Sequence, residues 1–202
     1  PMFMLRGLKK NAPQLQNISQ ERIRDELDKM LMTGYPDRAV KLLRITGLLK
    51  YVIPELLPAV KMKQNRHHEE KVFDHIMSVL SKTKPNIINR LGALLHDIGK
   101  VKTREVIKGE VHFYDHENVG SEMAEEILKR LKYPRFIIEA IVKIIKNHMR
   151  LKQTGNHGEK IKDKTLKRFV IDMGDHLENM MDVIHSDNLS HASSSIMPHQ
   201  IP

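Results

Sequence analysis

Apolar residues along this chain recur mostly at spacings of three and four, which is the repeat of an amphipathic helix. Ser19 is a suitable N-cap residue, and apolar side chains follow it at helical spacing from Ile23 to Leu31. A second helix is expected to begin at Pro36 and to end near Gly47. The chain therefore opens with at least two short helices.

The next segment, residues 48–57, is apolar but is interrupted by proline, so only short turns of helix are expected there. Together with the two preceding helices it predicts a small helical neck over residues 5–65. A second unit, residues 66–202, is expected to follow the polar stretch 64–70.

In the second unit, apolar spacing predicts a helix over residues 72–80. Asn86 is a candidate cap for the next helix, which leads to His96 and Asp97. The section 103–113 alternates like a strand pair, and Lys108-Gly109 in its middle suits a hairpin turn.

Helical spacing returns at His116 and continues to Leu131. Pro134 is expected to start an isoleucine-rich helix that ends near His148, and residues 155–158 read as a loop. Two last helices are expected around residues 166–173 and 180–184. The fold class is therefore predicted to be all-α, a helical bundle with one small β-hairpin behind a short helical neck.

Composition narrows the chemistry that this chain can perform. Aromatic residues make up only 4% of its 202 residues, while Met occurs 12 times, which suits packed helices. Cysteine is absent, so disulfides and thiolate metal sites are excluded, and histidine and carboxylate must hold any metal. Because no apolar stretch reaches the roughly 18 residues that span a bilayer, we expect a cytoplasmic protein without a membrane partner.

The net charge of +9 favours a polyanionic partner such as RNA or a phosphorylated substrate. A solvated helix face is the alternative explanation for each group of basic residues. The basic residues cluster at Lys61, Lys63 and Arg66, at Lys143, Lys146, Arg150 and Lys152, and at Lys160, Lys162, Lys164, Lys167 and Arg168.

An apolar run leads directly into the sequence His96-Asp97-Ile98-Gly99. A carboxylate and an imidazole that are buried without partners cost several kcal/mol. A metal ion would remove that cost, because it supplies the positive charge that Asp97 needs. A helix C-terminus capped by Gly99 is the alternative, and this motif alone leaves it open.

Three further histidines and an aspartate fall among predicted core residues. His75 lies inside the 72–80 helix, His116 begins a helix whose next turns carry Gly120 and Ala124, and His148 ends the isoleucine-rich helix. Asp187 lies near the apolar residues Ile184 and Leu189. Each could be a satisfied buried polar group. With His96 and Asp97 they make four nitrogen donors and two carboxylates, which suit two divalent metals with positions left for water and substrate.

This order of residues resembles the HD-domain superfamily of metal-dependent phosphohydrolases, whose pattern is H…HD…H…H…D. A second, narrower resemblance rests on the segments Leu91-Gly92-Ala93-Leu94-Leu95-His96-Asp97-Ile98-Gly99-Lys100, Val111-His112-Phe113-Tyr114-Asp115-His116-Glu117, Gly120, Met123-Ala124-Glu125-Glu126-Ile127-Leu128, Asn17-Ile18-Ser19-Gln20-Glu21-Arg22-Ile23, Gly47-Leu48-Leu49 and Pro54-Glu55-Leu56. These segments are similar to the neck and HD region of bacterial CCA-adding tRNA nucleotidyltransferases and poly(A) polymerase relatives.

The resemblance assigns roles to individual residues. It implies that His75, His96, Asp97 and Asp187 hold one metal, that His116 and His148 add a second, and that Asp97 bridges the two. Asp97 and Lys100 become the candidate catalytic residues, with Lys100 meeting a phosphate oxygen, although a surface lysine is an equal alternative. The metal could be Mn, Fe, Ni, Co, Zn or Mg, as one ion or two.

The remaining histidines are not predicted to bind a metal. His67-His68 is similar to a histidine pair that lies just before the first ligand in the family, where it would line the pocket. The others are assigned to the surface: His112, His157, His176, His185, His191 and His199.

The sequence lacks the Gly-Ser phosphate loop and paired aspartates of the nucleotidyltransferase head. The resemblance therefore implies that this chain does not add CCA by itself. The leading hypothesis is that the chain is a phosphohydrolase acting on nucleotide or RNA-end phosphoesters, such as 2′,3′-cyclic phosphates or 2′-nucleotides. The alternatives are a non-catalytic tRNA-binding or RNA-binding body that works with a separate nucleotidyltransferase head protein, and a purely structural metal.

Overall fold

The neck is helical in a computed structural model of the chain, which describes residues 2–64, 70–151 and 161–191. Its helices are α1 (Met2–Asn11), α2 (Gln20–Leu31), α3 (Pro36–Thr46) and α4 (Leu49–Val52). Short 3-10 turns lie at Ala12–Asn17, Pro54–Leu56 and Pro58–Val60. Helix α1 was not expected from the spacing of apolar residues, because it buries little apolar surface and its Phe3 is 87% exposed.

The rest of the described chain is a helical body with one hairpin. Its elements are α5 (Val72–Lys82), α6 (Ile87–Leu95), α7 (Lys100–Thr103), β1 (Glu105–Ile107), β2 (Glu110–His112), α8 (His116–Arg130), α9 (Arg135–Asn147), α10 (Asp163–Met173), a 3-10 turn Gly174–His176 and α11 (Leu177–Asn188). The predicted all-α class with a small hairpin is confirmed.

The predicted loop 155–158 and the residues Arg66, His67, His68, Lys152, His157, Lys160 and His199 lie outside the described residues.

Local side-chain chemistry sets several helix boundaries where the sequence predicted them. The Ser19 hydroxyl accepts a hydrogen bond from the Arg22 backbone N–H at 3.4 Å, which caps α2. The Asn86 side chain accepts from the backbone N–H of Ile88 at 2.9 Å and caps α6. Gly47 ends α3 with φ of 79°, a left-handed conformation that favours glycine.

The hairpin is antiparallel and pairs Val106 with Val111. Its two turn residues, Lys108 and Gly109, both have positive φ, 51° and 82°. A two-residue turn of this type matches the right-handed twist of the strands, so the predicted turn is confirmed.

The neck and the body share one hydrophobic core. Ile23 and Leu27 of α2 belong to the same buried cluster as Leu91 of α6 and Ile141 of α9. A smaller cluster around Phe169 joins α9, α10 and α11. The boundary between residues 65 and 66 therefore stays a prediction, because buried apolar contacts cross from one unit to the other.

Polar contacts also tie the neck to the body. The Arg130 guanidinium of α8 donates to both carboxylate oxygens of Glu55 at 2.9 Å and to the Val52 carbonyl at 3.1 Å. The buried Arg90 of α6 donates to the carbonyls of Leu31 and Thr33 at the end of α2. These contacts satisfy carbonyls at the helix ends that would otherwise lack partners.

Among the described residues, no helix combines the length and apolarity needed to cross a membrane.

Two glycines allow α8 to lie directly against the turn after α6. A Cβ at Gly99 would lie 2.0 Å from the His116 carbonyl oxygen and 2.6 Å from the Gly120 backbone nitrogen. Both distances are far below a normal contact, so this approach requires glycine at position 99. This close approach of α8 brings His116 beside the His96-Asp97 turn.

Gly99→Ala should lower the free energy of unfolding by about 3 kcal/mol, because a methyl group placed against backbone atoms must push α8 away. Urea unfolding monitored by circular dichroism measures the change. Gly7→Ala is the matched control, since a Cβ there meets nothing within 4 Å, and helix propensity should raise stability by about 0.5–1 kcal/mol. Equal stability of Gly99→Ala and the wild type would contradict the close-packing argument.

Candidate metal centre

The predicted site residues come from separate elements that converge at one place. His75 lies on α5, His96 and Asp97 follow the end of α6, His116 begins α8, His148 follows the end of α9, and Asp187 lies in the last turn of α11. All six are buried, with exposed fractions of 1–7%. The C-terminal ends of α6, α9 and α11 carry partial negative charge from their helix dipoles, which favours a cation between them.

The Asp97 carboxylate lies at the centre, and its two oxygens face different partners. Oδ2 lies 3.6 Å from His75 Nε2 and 3.3 Å from His96 Nε2. Oδ1 lies 3.5 Å from His116 Nε2 and 4.0 Å from His148 Nε2. The centre therefore has two halves that share Asp97.

Asp187 belongs to the first half, with His75 and His96. Its Oδ1 lies 3.1 Å from His75 Nε2 and 4.0 Å from His96 Nε2. Helix α11 is held in place by Asp182, whose Oδ2 accepts from the Asn89 side chain at 2.7 Å and from the Lys84 backbone N–H at 3.1 Å. These hydrogen bonds join α11 to α6 and to the segment before it, and they help to set the position of Asp187.

Backbone carbonyls fix the orientation of three of the imidazoles. The Nδ1 atoms of His96, His116 and His148 lie 2.8, 2.8 and 2.6 Å from the carbonyl oxygens of Ala93, Phe113 and Ile145. Because a carbonyl only accepts, Nδ1 must carry the proton and donate, which leaves Nε2 in the neutral ring with a lone pair. Histidines that bind metals are commonly held in this way.

The geometry fits a divalent cation. The Nε2 atoms of His96, His116 and His148 are buried and have no hydrogen-bond partner among the described residues. His75, His96 and Asp97 offer ligand atoms that all lie within 4.8 Å of one another, and so do Asp97, His116 and His148. Buried polar atoms without partners are costly, and a cation in each half would satisfy them.

Burial and neighbouring charges shift the pKa values of these groups, and for His75, His116, His148 and Asp97 the shift favours the deprotonated form that binds a metal. Burial lowers the pKa values of His75 and His116, and burial together with the nearby His116 and His96 lowers the pKa of His148 to about 3. Burial opposes ionisation of Asp97, but Lys100 and His96 outweigh it and hold the pKa of this carboxyl well below its usual range. For His96, burial is outweighed by the Asp97 carboxylate, which raises the pKa.

Lys100 is buried within the site, so the alternative of a surface lysine is wrong. Its Nζ donates to Asp97 Oδ2 at 2.7 Å and to Gln64 Oε1 at 2.9 Å, and it lies 5.4 Å from the centroid of the Phe113 ring. The contact with a phosphate oxygen stays a prediction. Gln64 was not singled out by the sequence analysis, because a glutamine in a polar stretch carries no periodic signal.

His191 is the site residue for which the sequence interpretation is wrong. Its side chain is 13% exposed rather than at the surface, and its Nε2 lies 3.4 Å from Asp187 Oδ1. The spacing of four residues from Asp187 could have indicated this, since residues four apart share a helix face.

Three other histidines that were assigned to the surface, His112, His176 and His185, are partly buried, and His112 stacks on Tyr114 with ring centroids 5.1 Å apart.

Two of the basic clusters lie beside each other. Lys143 of α9 donates to the Met173 carbonyl at the end of α10 at 3.2 Å, and Arg150 forms an ion pair with Asp172 at 2.7 Å. The exposed cations Lys146, Lys164 and Lys167 belong to the same two clusters. These contacts bring the two clusters next to each other, and we refer to Lys143, Lys146, Arg150, Lys164 and Lys167 together as the basic surface.

Two family models match the chain, one after the other. Residues 4–60 match a family described as a probable RNA and SrmB-binding site of polymerase A. Residues 62–180 match the family described as the HD domain. The second match includes His75, His96, Asp97, His116 and His148, while Asp187 lies beyond its end.

Curated relatives match the same part of the chain. The A-adding tRNA nucleotidyltransferase of Deinococcus radiodurans is 33% identical over 136 residues, which are 64% of this chain and 31% of that protein. The CC-adding tRNA nucleotidyltransferase of Thermus thermophilus is 28% identical over 180 residues, 85% of this chain and 40% of that protein. A multifunctional CCA protein of Methylobacillus flagellatus is 31% identical over 155 residues, 74% of this chain and 36% of that protein. The aligned part is therefore about a third to two fifths of each relative's length.

The low pKa of His148 predicts a pH dependence of stability in metal-free protein. Between pH 6.5 and 3 the unfolded chain protonates this histidine while the folded protein does not, so the free energy of unfolding falls as the pH falls. This residue should contribute a loss of about 2 kcal/mol between pH 6.5 and pH 5.

Urea unfolding in a chelator at several pH values, for the wild type and His148→Gln, measures this contribution. The free energy of unfolding of the variant should fall less steeply as the pH falls, because unfolding of the variant takes up about one proton fewer than unfolding of the wild type. Identical slopes of unfolding free energy against pH for the two proteins would contradict the low pKa of His148.

Proposed function

This chain belongs to the HD-domain family, and from that premise we propose that it is a metal-dependent phosphohydrolase acting on nucleotide or RNA-end phosphoesters. The observation that supports the proposal most directly is the arrangement around Asp97. One buried carboxylate presents its two oxygens to two sets of histidines, and three of those rings are oriented by a backbone carbonyl at Nδ1. A protein kept only for binding RNA has no need of this arrangement.

His75, His96, Asp97 and Asp187 would hold one cation, and Asp97, His116 and His148 would hold the other. Divalent cations in such a site lower the pKa of bound water and polarise phosphoryl oxygens. Imidazole-rich ligand sets suit Mn, Fe, Ni, Co or Zn better than Mg, which prefers oxygen.

Residues beside the proposed metal ligands would bind and position the substrate phosphate. Lys100 places a positive charge beside Asp97 and is positioned to neutralise a phosphate oxygen of the substrate. Gln64 holds the Lys100 ammonium from its other side. His116 and Lys100 are the most exposed members of the predicted set, at 7% each, so we expect the substrate to enter past these two residues.

Hydrolysis of 2′,3′-cyclic AMP tests the proposal. Protein loaded with manganese, nickel or magnesium should release product, and Asp97→Ala should release none, because it removes the ligand shared by both halves. Lys100→Met should lower kcat by about 100-fold or more, through loss of charge stabilisation. Asp175→Ala, an exposed aspartate outside the site, is the control and should match the wild type.

Turnover that persists in Asp97→Ala would exclude this centre as the catalytic site. A wild type that binds metal with its coordination fully closed, and hydrolyses neither 2′,3′-cyclic AMP nor a broad panel of phosphoesters, would instead favour a structural metal.

The match over residues 4–60 favours a second candidate function, an RNA-binding body related to tRNA nucleotidyltransferases. The relatives are named for tRNA, and we propose tRNA as the RNA partner. The basic surface defined above offers the positive charge that phosphates require. The separate nucleotidyltransferase head protein stays a prediction from the sequence resemblance. The two functions are compatible, because an RNA-end hydrolase must also hold RNA.

Replacing Lys146, Lys164 and Lys167 by Gln should weaken tRNA binding and reduce the slope of log K against log salt by about 2–3, since each lost phosphate contact removes nearly one counterion. Filter binding or fluorescence anisotropy across a salt series measures the slope. The matched control replaces Lys29, Lys129 and Arg135, which already form ion pairs with Glu26, Glu125 and Glu139. Equal effects of both triple variants would exclude this surface as the RNA contact.

A further inference from the structure

His191 lies beside the first half of the centre but is not one of the six predicted ligands. Its Nε2 is 3.4 Å from Asp187 Oδ1, the same oxygen that lies 3.1 Å from His75 Nε2. The His191 and His75 rings are 5.5 Å apart between centroids. The Oδ1 atom of Asp187 therefore lies close to two imidazoles, those of His75 and His191.

The backbone that carries His191 is well anchored. After α11 the chain continues in tight turns, with the Ser190 N–H bonded to the Asp187 carbonyl at 2.9 Å and the His191 N–H bonded to the Asn188 carbonyl at 3.2 Å. The Ser190 hydroxyl donates to the Ser186 carbonyl at 2.8 Å and accepts from Lys82 of α5 at 3.0 Å. His191 is thus fixed relative to α5, the helix that carries His75.

This placement gives His191 a specific chemical role. A carboxylate that binds a metal is usually oriented by a hydrogen bond from a neighbouring group, and the loss of that group weakens metal binding by about 10–100-fold. His191 Nε2 lies 3.4 Å from Asp187 Oδ1, close enough for its imidazole to orient that carboxylate.

We propose that His191 is a positioning residue of the metal centre, whose imidazole N–H holds the Asp187 carboxylate towards His75 and His96. The first half then has two carboxylates, Asp97 and the oriented Asp187, whereas the second half has only the shared Asp97. The first half therefore binds its cation more tightly, and the second half fills after it. This inference rests on the proposed metal centre and adds the order in which its halves are occupied.

Calorimetric titration of metal-free protein with Mn²⁺ tests the proposal without any assay of activity. In the wild type we expect two binding steps. His191→Ala should weaken the tighter step by about 10–100-fold and leave the looser step nearly unchanged. His148→Ala should do the reverse, since His148 belongs to the second half.

Two further variants separate positioning from a general structural role. His191→Gln keeps an N–H donor and should recover part of the affinity that His191→Ala loses. His176→Ala replaces a partly buried histidine next to α11 and should bind Mn²⁺ like the wild type. Urea unfolding of each metal-free variant shows whether the fold is intact, so that affinities are compared only among folded proteins.

The outcomes distinguish this inference from the proposed function. Unchanged Mn²⁺ affinity in folded His191→Ala, or equal losses in His191→Ala and His191→Gln, would overturn the positioning role and leave the hydrolase proposal standing. Weakened binding in a protein that hydrolyses no phosphoester would support the role and contradict the hydrolase. A wild type that binds no divalent metal would overturn both.

Discussion

The buried carboxylate of Asp97 is the constraint on which the rest of this structure depends. It is 2% exposed, and it faces two histidines through one oxygen, two through the other, and the ammonium group of Lys100. A charge so far from water is tolerable only with compensating charge around it. The Lys100 ammonium supplies part of that compensation, and the two halves around Asp97 could accept cations that supply the rest.

Helix ends, rather than helix faces, build most of this site. His96 and His148 follow the last residues of their helices, so each ring can donate from Nδ1 to a backbone carbonyl three residues earlier. The same local geometry satisfies a carbonyl at the helix end and directs Nε2 into the centre. The contact between Gly99 and α8 then brings His116 to the opposite side of Asp97.

The neck is joined to this site by packing as well as by sequence. Its apolar side chains share one core with the body, and Arg130 and Arg90 bind carbonyls at the ends of neck elements. Gln64, at the end of the neck, touches Lys100 directly. An RNA held by the neck and the basic surface would therefore contact elements that pack against the proposed hydrolytic centre.

The sequence by itself determined the features that depend on neighbouring residues. Helical spacing, the caps at Ser19 and Asn86 and the Lys108-Gly109 turn predicted the fold class, because short-range hydrogen bonds and backbone preferences set them. The spacing and order of histidines and aspartates also predicted six residues that lie together, although their metal-binding role is still a prediction.

Tertiary structure alone decided contacts between distant segments. It buried Lys100, gave it Gln64 as a partner and placed His191 against Asp187. Neither the burial nor the partner of a polar side chain can be read from its own neighbours, because both depend on which helices pack around it.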